Sequence, residues 1–305
     1  MVEVKCNLCG ADDWHLRFPG TTAAPGLPEV DIFRCTSPAY GSHPQIVECN
    51  RCGLVYANPQ WSPDELVAAY TAVEDDLYLQ ERAGRELTFE KHLLDLEKFT
   101  GPADGRHLLD VGAYIGVFVD IARKHGWHAE GIEPSDWAVA RAQQDGLPVY
   151  QGTQFSPVLV DRKFDVITMW DVIEHVTDPA GELRQAYHLL NNGGWLAVHT
   201  MDISSLTARL MGHRWPWLMD MHIYYFSQAT LAAMLHRCGF EVTWSGVQGR
   251  FLRLGYVASR LGGINDALGK YSAALLERLH LSEVPLPLNF GDLFTVYARR
   301  PLQNS

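Results

Sequence analysis

The chain has 305 residues, 47% of them hydrophobic and 20% charged, enough for one large core or a medium core with small appendages. Its formal charge of −11 and pI near 5.6 argue against a nucleic-acid or anionic-membrane partner held by bulk electrostatics. The start Met1-Val2-Glu3-Val4-Lys5-Cys6 carries no apolar leader, and no run approaches the ~18 apolar residues of a membrane span, so a cytoplasmic location without integral membrane contact is expected.

Six cysteines in such a compartment read as thiolates or metal ligands rather than disulfides. Cys6-Asn7-Leu8-Cys9-Gly10 and Cys49-Asn50-Arg51-Cys52-Gly53 are two copies of one knuckle. Two thiolates separated by two residues grip one ion, and the glycine after each pair lets backbone N–H groups turn toward sulfur. Cys6, Cys9, Cys49 and Cys52 are therefore expected to hold a structural zinc in a module over residues 1–60, with no coordination position left for a substrate. The intervening stretch is rich in turn formers (Pro19-Gly20, Pro25-Gly26, Pro28, Pro38, Gly41, Pro44) and reads as irregular and surface-lying. Cys35 lies within it, either as a substitute ligand or as a spare buried thiol.

Gly53-Leu54-Val55-Tyr56-Ala57-Asn58-Pro59 reads as a strand ended by Asn58-Pro59. Ser62-Pro63-Asp64-Glu65 is a helix start, with Ser62 as cap and Pro63 in the first turn. Residues 61–100 form a helical linker or cap, with Tyr70, Tyr78 and Arg82 as candidates to face a site, or as anchors of an exposed helix.

From residue 101 onward strand and helix alternate. Leu108 to Val111 is a short buried strand, Gly112 to Gly116 a glycine-bearing turn, and Val117 to His125 a helix; Ala129 to Ile132 is a second strand ending in Glu133. This is the geometry of a nucleotide-type ligand on a doubly wound sheet, with Glu133 placed to accept from ribose hydroxyls. The dinucleotide fingerprint G-x-G-x-x-G is not met, and Asp110 would repel a pyrophosphate but suits a cationic ligand with an amino group. A helix follows from Pro134-Ser135-Asp136 to Gln144, then a strand at Leu147–Tyr150, followed by Gly152-Thr153. Phe164 to Asp171 is a fourth strand running into Val172-Ile173-Glu174-His175-Val176-Thr177-Asp178-Pro179. Ala180 to Leu190 is amphipathic, Asn191 to Gly194 a sharp turn, and Trp195 to His199 a fifth strand.

Asp110 to Gly116, Glu133 and the D-V-I-E-H-V-x-D-P segment together resemble the motifs of class I S-adenosylmethionine-dependent methyltransferases. Their usual turn is D-x-G-x-G-x-G, and Tyr114 stands here in place of the middle glycine. The knuckle followed by C-G-L-V-Y-A-N-P resembles the zinc-binding N-terminal region of bacterial sugar and natural-product methyltransferases. The resemblance implies a Rossmann-like α/β fold with a seven-stranded sheet, and S-adenosylmethionine held by Asp110, Gly112, Ala113, Tyr114, Gly116, Glu133, Pro134, Gly152, Thr153, Trp170 and Asp171.

The remaining third is read as the substrate side. Trp215 to Phe226 is dense in aromatics around His222; Ser227 caps a helix through Cys238, and Phe240 to Thr243 is a sixth strand. The H-x-Y-Y-F-S layout resembles the segment that closes the active site in these enzymes. Residues 247–288 are a basic amphipathic insertion (Arg250, Arg253, Arg260, Lys270, Arg278), read as a substrate lid, a homodimer surface or a membrane-surface helix. Asp292 to Ala298 is the seventh strand. The expected reaction is methyl transfer to a small-molecule acceptor, a hydroxyl of a sugar, sugar nucleotide, glycan intermediate or natural product. His222 is the first candidate for the base, followed by His175 and Asp171. An RNA methyltransferase docking through the zinc module, and a zinc-ribbon adaptor without turnover, are the competing classes.

Overall fold

The computed structural model describes residues 1–21, 30–37, 40–262 and 266–302. Along the chain lie β1 (Trp14–Phe18), β2 (Ile46–Cys49), β3 (Val55–Ala57), α1 (Pro63–Thr71), α2 (Asp76–Gln80) and α3 (Arg82–Thr100). The central part alternates β4 (His107–Val111), α4 (Val117–Lys124), β5 (His128–Glu133), α5 (Asp136–Gln144), β6 (Val149–Gln151), β7 (Phe164–Trp170), α6 (Pro179–Leu189) and β8 (Leu190–Met201). The rest comprises α7 (Leu206–Met211), β9 (Tyr224–Tyr225), α8 (Gln228–Arg237), β10 (Glu241–Val247), β11 (Arg250–Arg253), α9 (Leu254–Gly262), α10 (Asp266–Arg278), β12 (Pro285–Leu288) and β13 (Leu293–Arg299).

Seven strands form one sheet in the order β10-β13-β8-β7-β4-β5-β6, parallel from β8 to β6, with β13 antiparallel to both β8 and β10. This is the Rossmann-like class I methyltransferase arrangement. Side chains alternate across it, as a pleated strand requires. Leu108, Val166, Ala197 and Tyr297 face the core shared with Phe118 and Leu93, while Leu109, Ile167, Val198 and Val296 face the one shared with Leu183 and Leu231. Both faces are covered, which is why β4 and β7 read as near-continuous apolar runs. The strand order reverses at the boundary between β4 and β7, so the carboxyl ends of these two strands border the crevice where open α/β sheets bind ligands.

The cysteine region does not complete a sheet by itself. β1, β2 and β3 pair antiparallel, and the fourth strand of that sheet is β9, with Val55 opposite Tyr225 and Tyr56 opposite Tyr224. Its apolar residues Leu8, Leu54, Tyr56 and Trp61 join the same core as Leu109 and Val198.

Two local expectations are revised. The stretch between the knuckles is not wholly irregular: it supplies β1 and the buried Phe33, while Pro25, Gly26, Pro28 and Pro38 lie outside the described residues. Asn191 to Gly194 is not a separate turn but an irregularity inside β8, taken up where the β7–β8 register jumps between Phe164↔Leu190 and Val166↔Trp195. The insertion forms the β11–β12 ribbon with α9 and α10 between its strands. No helix among the described residues is long and apolar enough to cross a membrane.

Candidate functional site

The four knuckle cysteines converge as their spacing requires. Cys6 Sγ lies 3.4 Å from Cys52 Sγ and Cys9 Sγ 3.5 Å from Cys49 Sγ, and one donor atom from each of the four lies within 4.8 Å of the others. A zinc–sulfur bond of 2.3 Å places tetrahedral sulfurs ~3.8 Å apart, so four thiolates here fit zinc closely. Gly10 and Gly53 adopt φ of 75° and 73°, the left-handed turn that follows each pair. Cys35 is not part of this set; it lies on the wall of the large cavity described next.

A cavity of about 650 Å³ opens over the carboxyl ends of β4, β5 and β7. One end of it is built from adjacent strand tips. Asp110, 3% exposed, accepts from the Thr168 hydroxyl at 2.6 Å. Glu133 accepts from the N–H groups of Tyr114 (3.0 Å) and Ser135 (2.9 Å). Burial pushes the Asp110 carboxyl up to about 8 and that of Glu133 up to about 7, because neither has a cationic partner to offset lost hydration. Gly112, Ala113, Pro134, Gly152, Thr153 and Trp170 also line the cavity. Tyr114 keeps the turn open by adopting φ of 50°, and its ring meets Tyr78 edge-on at 4.4 Å. Gly116 does not reach the cavity: it is the N-cap of α4, and a Cβ there would meet Leu147 Cδ1 at 2.8 Å, so its role is helix–strand packing.

The helical cap contributes one turn out of phase with expectation. Tyr70 and Tyr78 do line the cavity, but Arg82 points away to Glu86, Asp120 and Asp145. Arg85, one turn on, lines it instead. Its guanidinium stands 3.6 Å from the Tyr78 ring centroid and makes no ion pair among the described residues. The buried Tyr114 hydroxyl and Trp170 Nε1 likewise have no hydrogen-bond partner among the described residues. Orphaned donors beside two buried carboxyls fit a ligand carrying ribose hydroxyls, an amino group and a carboxylate, as S-adenosylmethionine does.

The other end collects residues from distant parts of the chain. Asp171, at φ of 55° just past β7, faces Arg250 of β11 at 3.3 Å and His199 of β8 at 3.7 Å. Burial works to raise its pKa, but Arg250 and the histidines outweigh burial and hold it below the usual carboxylate range. Arg250 also stands 5.1 Å from the Trp217 ring centroid. Glu174, His175 and His222 gather beside them. Burial lowers His175, takes His199 down to about 4 and His222 down to about 3, so these imidazoles are neutral at pH 7. Trp215 and Phe226 belong to the core, while Pro216, Trp217, Met219 and Met221 line the cavity. The ribbon strand β11 and the start of α9 close one wall with Arg250, Phe251 and Tyr256.

Sequence reading missed Arg85, His92, Glu174 and His199 as lining residues. Glu174 stood inside the quoted motif, and Arg85 was one helical turn from Arg82; His92 and His199 carried no local signal.

The sequence matches the methyltransferase-domain family over residues 80–244. The chain belongs to that family. The matched region runs from the end of α2 into β10 and so contains both carboxyl-lined strand tips. Relatives of this methyltransferase domain include the ubiquinone biosynthesis O-methyltransferase of Albidiferax ferrireducens, 31% identical over 111 residues, which are 34% of this chain and 44% of that protein. The protein of the same name from Bordetella avium is 24% identical over 168 residues, 50% of this chain and 69% of its own length. The chain thus spans less than half of the first of these relatives. In fold it is similar to an S-adenosylmethionine-dependent methyltransferase from Archaeoglobus fulgidus, with a TM-score of 0.50 at 15% identity, covering 74% of this chain and all of that one.

Proposed function

We propose that this protein transfers a methyl group from S-adenosylmethionine to a hydroxyl of a small molecule, on a scaffold tied together by a four-cysteine zinc site. The observation that carries the reading is the pair Asp110 and Glu133. Two buried carboxyls sit at neighbouring strand tips of a methyltransferase-family sheet, facing a cavity that continues to Asp171, His175 and His222. Bound there, S-adenosylmethionine would supply a methyl already activated on a sulfonium.

Glu133 accepts from the ribose hydroxyls, Asp110 faces the amino group, and Arg85 takes the methionine carboxylate. Gly152 and Thr153 border the adenine ring. The chain's own contribution to the reaction is alignment and exclusion of water, since an in-line displacement from an activated donor needs little more. The acceptor lies against Trp217, Met219 and Met221, apolar surfaces that suit one face of a sugar ring, a glycan intermediate or another natural product. The names of the two relatives specify oxygen as the methylated atom in those proteins. Asp171, His175 and His222 face the acceptor hydroxyl, their imidazoles neutral at pH 7 and so open to a proton or to a metal ion.

Calorimetry on metal-replete protein tests this reading. Micromolar or tighter binding of S-adenosylhomocysteine, lost in Glu133→Ala, is expected. No heat from either the donor or its demethylated product would overturn it.

A further inference from the structure

Glu174, His175 and His222 form a second set of donor groups, far from the cysteine knuckles in sequence and unrelated in chemistry. Glu174 and His175 follow β7; His222 stands two residues before β9; all three line the acceptor end of the cavity. One donor atom from each lies within 4.8 Å of the other two, and the two imidazole centroids are 4.8 Å apart. His175 Nε2 is 4.0 Å from Glu174 Oε1.

Hydrogen bonding fixes how these rings present themselves. His222 Nδ1 is 2.7 Å from the Trp217 carbonyl, and His175 Nδ1 is 3.0 Å from the Met221 carbonyl and 2.8 Å from the Tyr70 hydroxyl. A carbonyl oxygen only accepts, so the proton resides on Nδ1 of His222 and, with the Tyr70 hydroxyl oxygen accepting alongside the Met221 carbonyl, on Nδ1 of His175; each Nε2 then keeps a free lone pair. Imidazoles that ligate metals are oriented in this way, one ring N–H donating to a carbonyl while the other nitrogen binds. Glu174 is 1% exposed, and its Oε2 has no hydrogen-bond partner among the described residues. A buried carboxyl oxygen left unpartnered is costly, and a cation shared with the two imidazole nitrogens beside it would satisfy it.

We propose that Glu174, His175 and His222 bind a divalent transition-metal ion at the acceptor end of the cavity, with open coordination positions facing the acceptor. Two nitrogens and one carboxylate oxygen favour zinc, iron(II), cobalt(II) or manganese(II) over magnesium or calcium, which prefer all-oxygen sites. Bonds of roughly 2.0–2.2 Å bring such donors to about 3.3 Å apart, so binding draws the three inward by up to about 1.5 Å.

This inference rests on the methyltransferase reading for its role. An acceptor hydroxyl on the ion becomes more acidic and releases its proton to water. The oxygen lone pair then forms the O–C bond as the C–S bond breaks, leaving a neutral thioether. His175 and His222, committed to the ion through Nε2, are then metal ligands and not the groups that take the proton.

The test is metal stoichiometry, which needs no turnover. Purified protein is exchanged into cobalt(II) or zinc(II), desalted and measured by plasma mass spectrometry. Two ions per chain are expected in the unaltered protein and one in Glu174→Gln, His175→Asn and His222→Asn, with S-adenosylhomocysteine affinity unchanged within about twofold in any variant that folds. Cobalt at this site gives visible d–d bands without the thiolate charge-transfer absorption of the cysteine site, so the unaltered protein decides the matter even if a variant misfolds. A single ion per chain with only the thiolate signature, or a second ion retained in all three variants, overturns the proposal. Loss of S-adenosylhomocysteine binding in the unaltered protein would instead remove the methyltransferase reading, and the ion count would still stand.

Discussion

Asn7, the first residue inside the N-terminal cysteine knuckle, donates from Nδ2 to Asp178 Oδ1 at 2.8 Å, at the N-cap of α6. Its Oδ1 in turn accepts from the Ala180 N–H at 2.9 Å. The knuckle therefore grips the end of the segment 171–178 that carries Asp171, Glu174 and His175. A second connection runs through β9: the Ala57 N–H donates to the Ile223 carbonyl at 2.9 Å, and the Ile223 N–H donates to the Glu174 carbonyl at 2.9 Å. The cysteine module is thus joined by hydrogen bonds to the segment that carries Asp171, Glu174 and His175, while Asp110 and Glu133 sit on strands that it does not pair with.

Loss of the zinc proposed for the knuckle should accordingly act first on the end of the cavity that carries Asp171, Glu174 and His175. Structural zinc supplies folding energy outright, so Cys9→Ser loosens residues 1–60 and, through Asn7 and Ile223, the 171–178 segment. We expect the KM for acceptor to rise and kcat to fall by about tenfold or more, in line with the cost of displacing groups that position a reacting atom. The Kd for S-adenosylhomocysteine should move by less than about threefold. Equal losses at both ends, measured by calorimetry and steady-state kinetics, would show that the module holds the whole fold and not the acceptor side.

The buried carboxyls give a pH signature with a definite sign. The folded-state pKa values of Asp110, about 8, and Glu133, about 7, both lie above the ordinary range near 4, chiefly through burial. In that window the folded chain holds protons that the unfolded chain has released. Their stabilising contribution is fully present below about pH 4 and is lost as pH rises through 7 and 8. Between pH 6 and 8.5 the melting temperature of the ligand-free protein should fall, less steeply in Glu133→Gln. Cofactor affinity should run the other way, because ribose hydroxyls and an ammonium group bind the ionised carboxylates. Binding should therefore release protons, measurable by calorimetry in buffers of different ionisation enthalpy.

How much of this was legible beforehand follows from how local each feature is. Asp110, Glu133, Gly152 and Asp171 each end a strand or its turn, and strand tips on one edge of a parallel sheet are neighbours whatever the loops do. The four cysteines were legible because metal ligation dictates spacing. Arg85 was missed by one turn because the apolar pattern of α3 is weak, so its phase was underdetermined; Arg82 has acidic partners in α3, α4 and just past α5 that turn it outward. His92 and His199 reach the cavity only through packing of α3 against the sheet, with ring centroids 5.0 Å apart, a contact between residues more than a hundred positions apart. The strap carrying Arg250 was visible as a basic insertion, but its pairing with Asp171 is purely tertiary.

Arg85 offers a test of the cofactor end that does not touch either carboxyl. Its charge is held over the Tyr78 ring with no ion pair among the described residues, so a ligand carboxylate would be its natural counter-ion. A hydrogen bond to a charged group contributes about 1.5–3 kcal/mol, which corresponds to roughly 10- to 150-fold in affinity. Arg85→Gln should weaken S-adenosylhomocysteine binding by that factor and leave the melting temperature nearly unchanged. Binding of 5′-methylthioadenosine, which lacks the amino-acid moiety, should be unaffected by the same substitution. If both ligands weaken alike, Arg85 supports the turn and does not contact the carboxylate.

Tyr114 separates backbone path from side-chain function. A non-glycine residue at φ of 50° costs about 1–2 kcal/mol, so glycine here would relieve that much. Yet the Tyr114 ring is 8% exposed and packs against Tyr78 and Trp137, and removing a buried aromatic costs about 3–5 kcal/mol. The packing loss exceeds the strain relieved, so Tyr114→Gly should destabilise the protein by about 1–4 kcal/mol in urea unfolding although it places the more usual residue in the turn. Tyr114→Phe keeps the ring and deletes a buried hydroxyl that has no partner among the described residues. Removing an unsatisfied buried polar group should leave the ligand-free protein equally stable or up to about 1 kcal/mol more stable. If that hydroxyl bonds the cofactor, the same variant should bind S-adenosylhomocysteine about tenfold more weakly, and unchanged affinity would confine Tyr114 to shaping the turn.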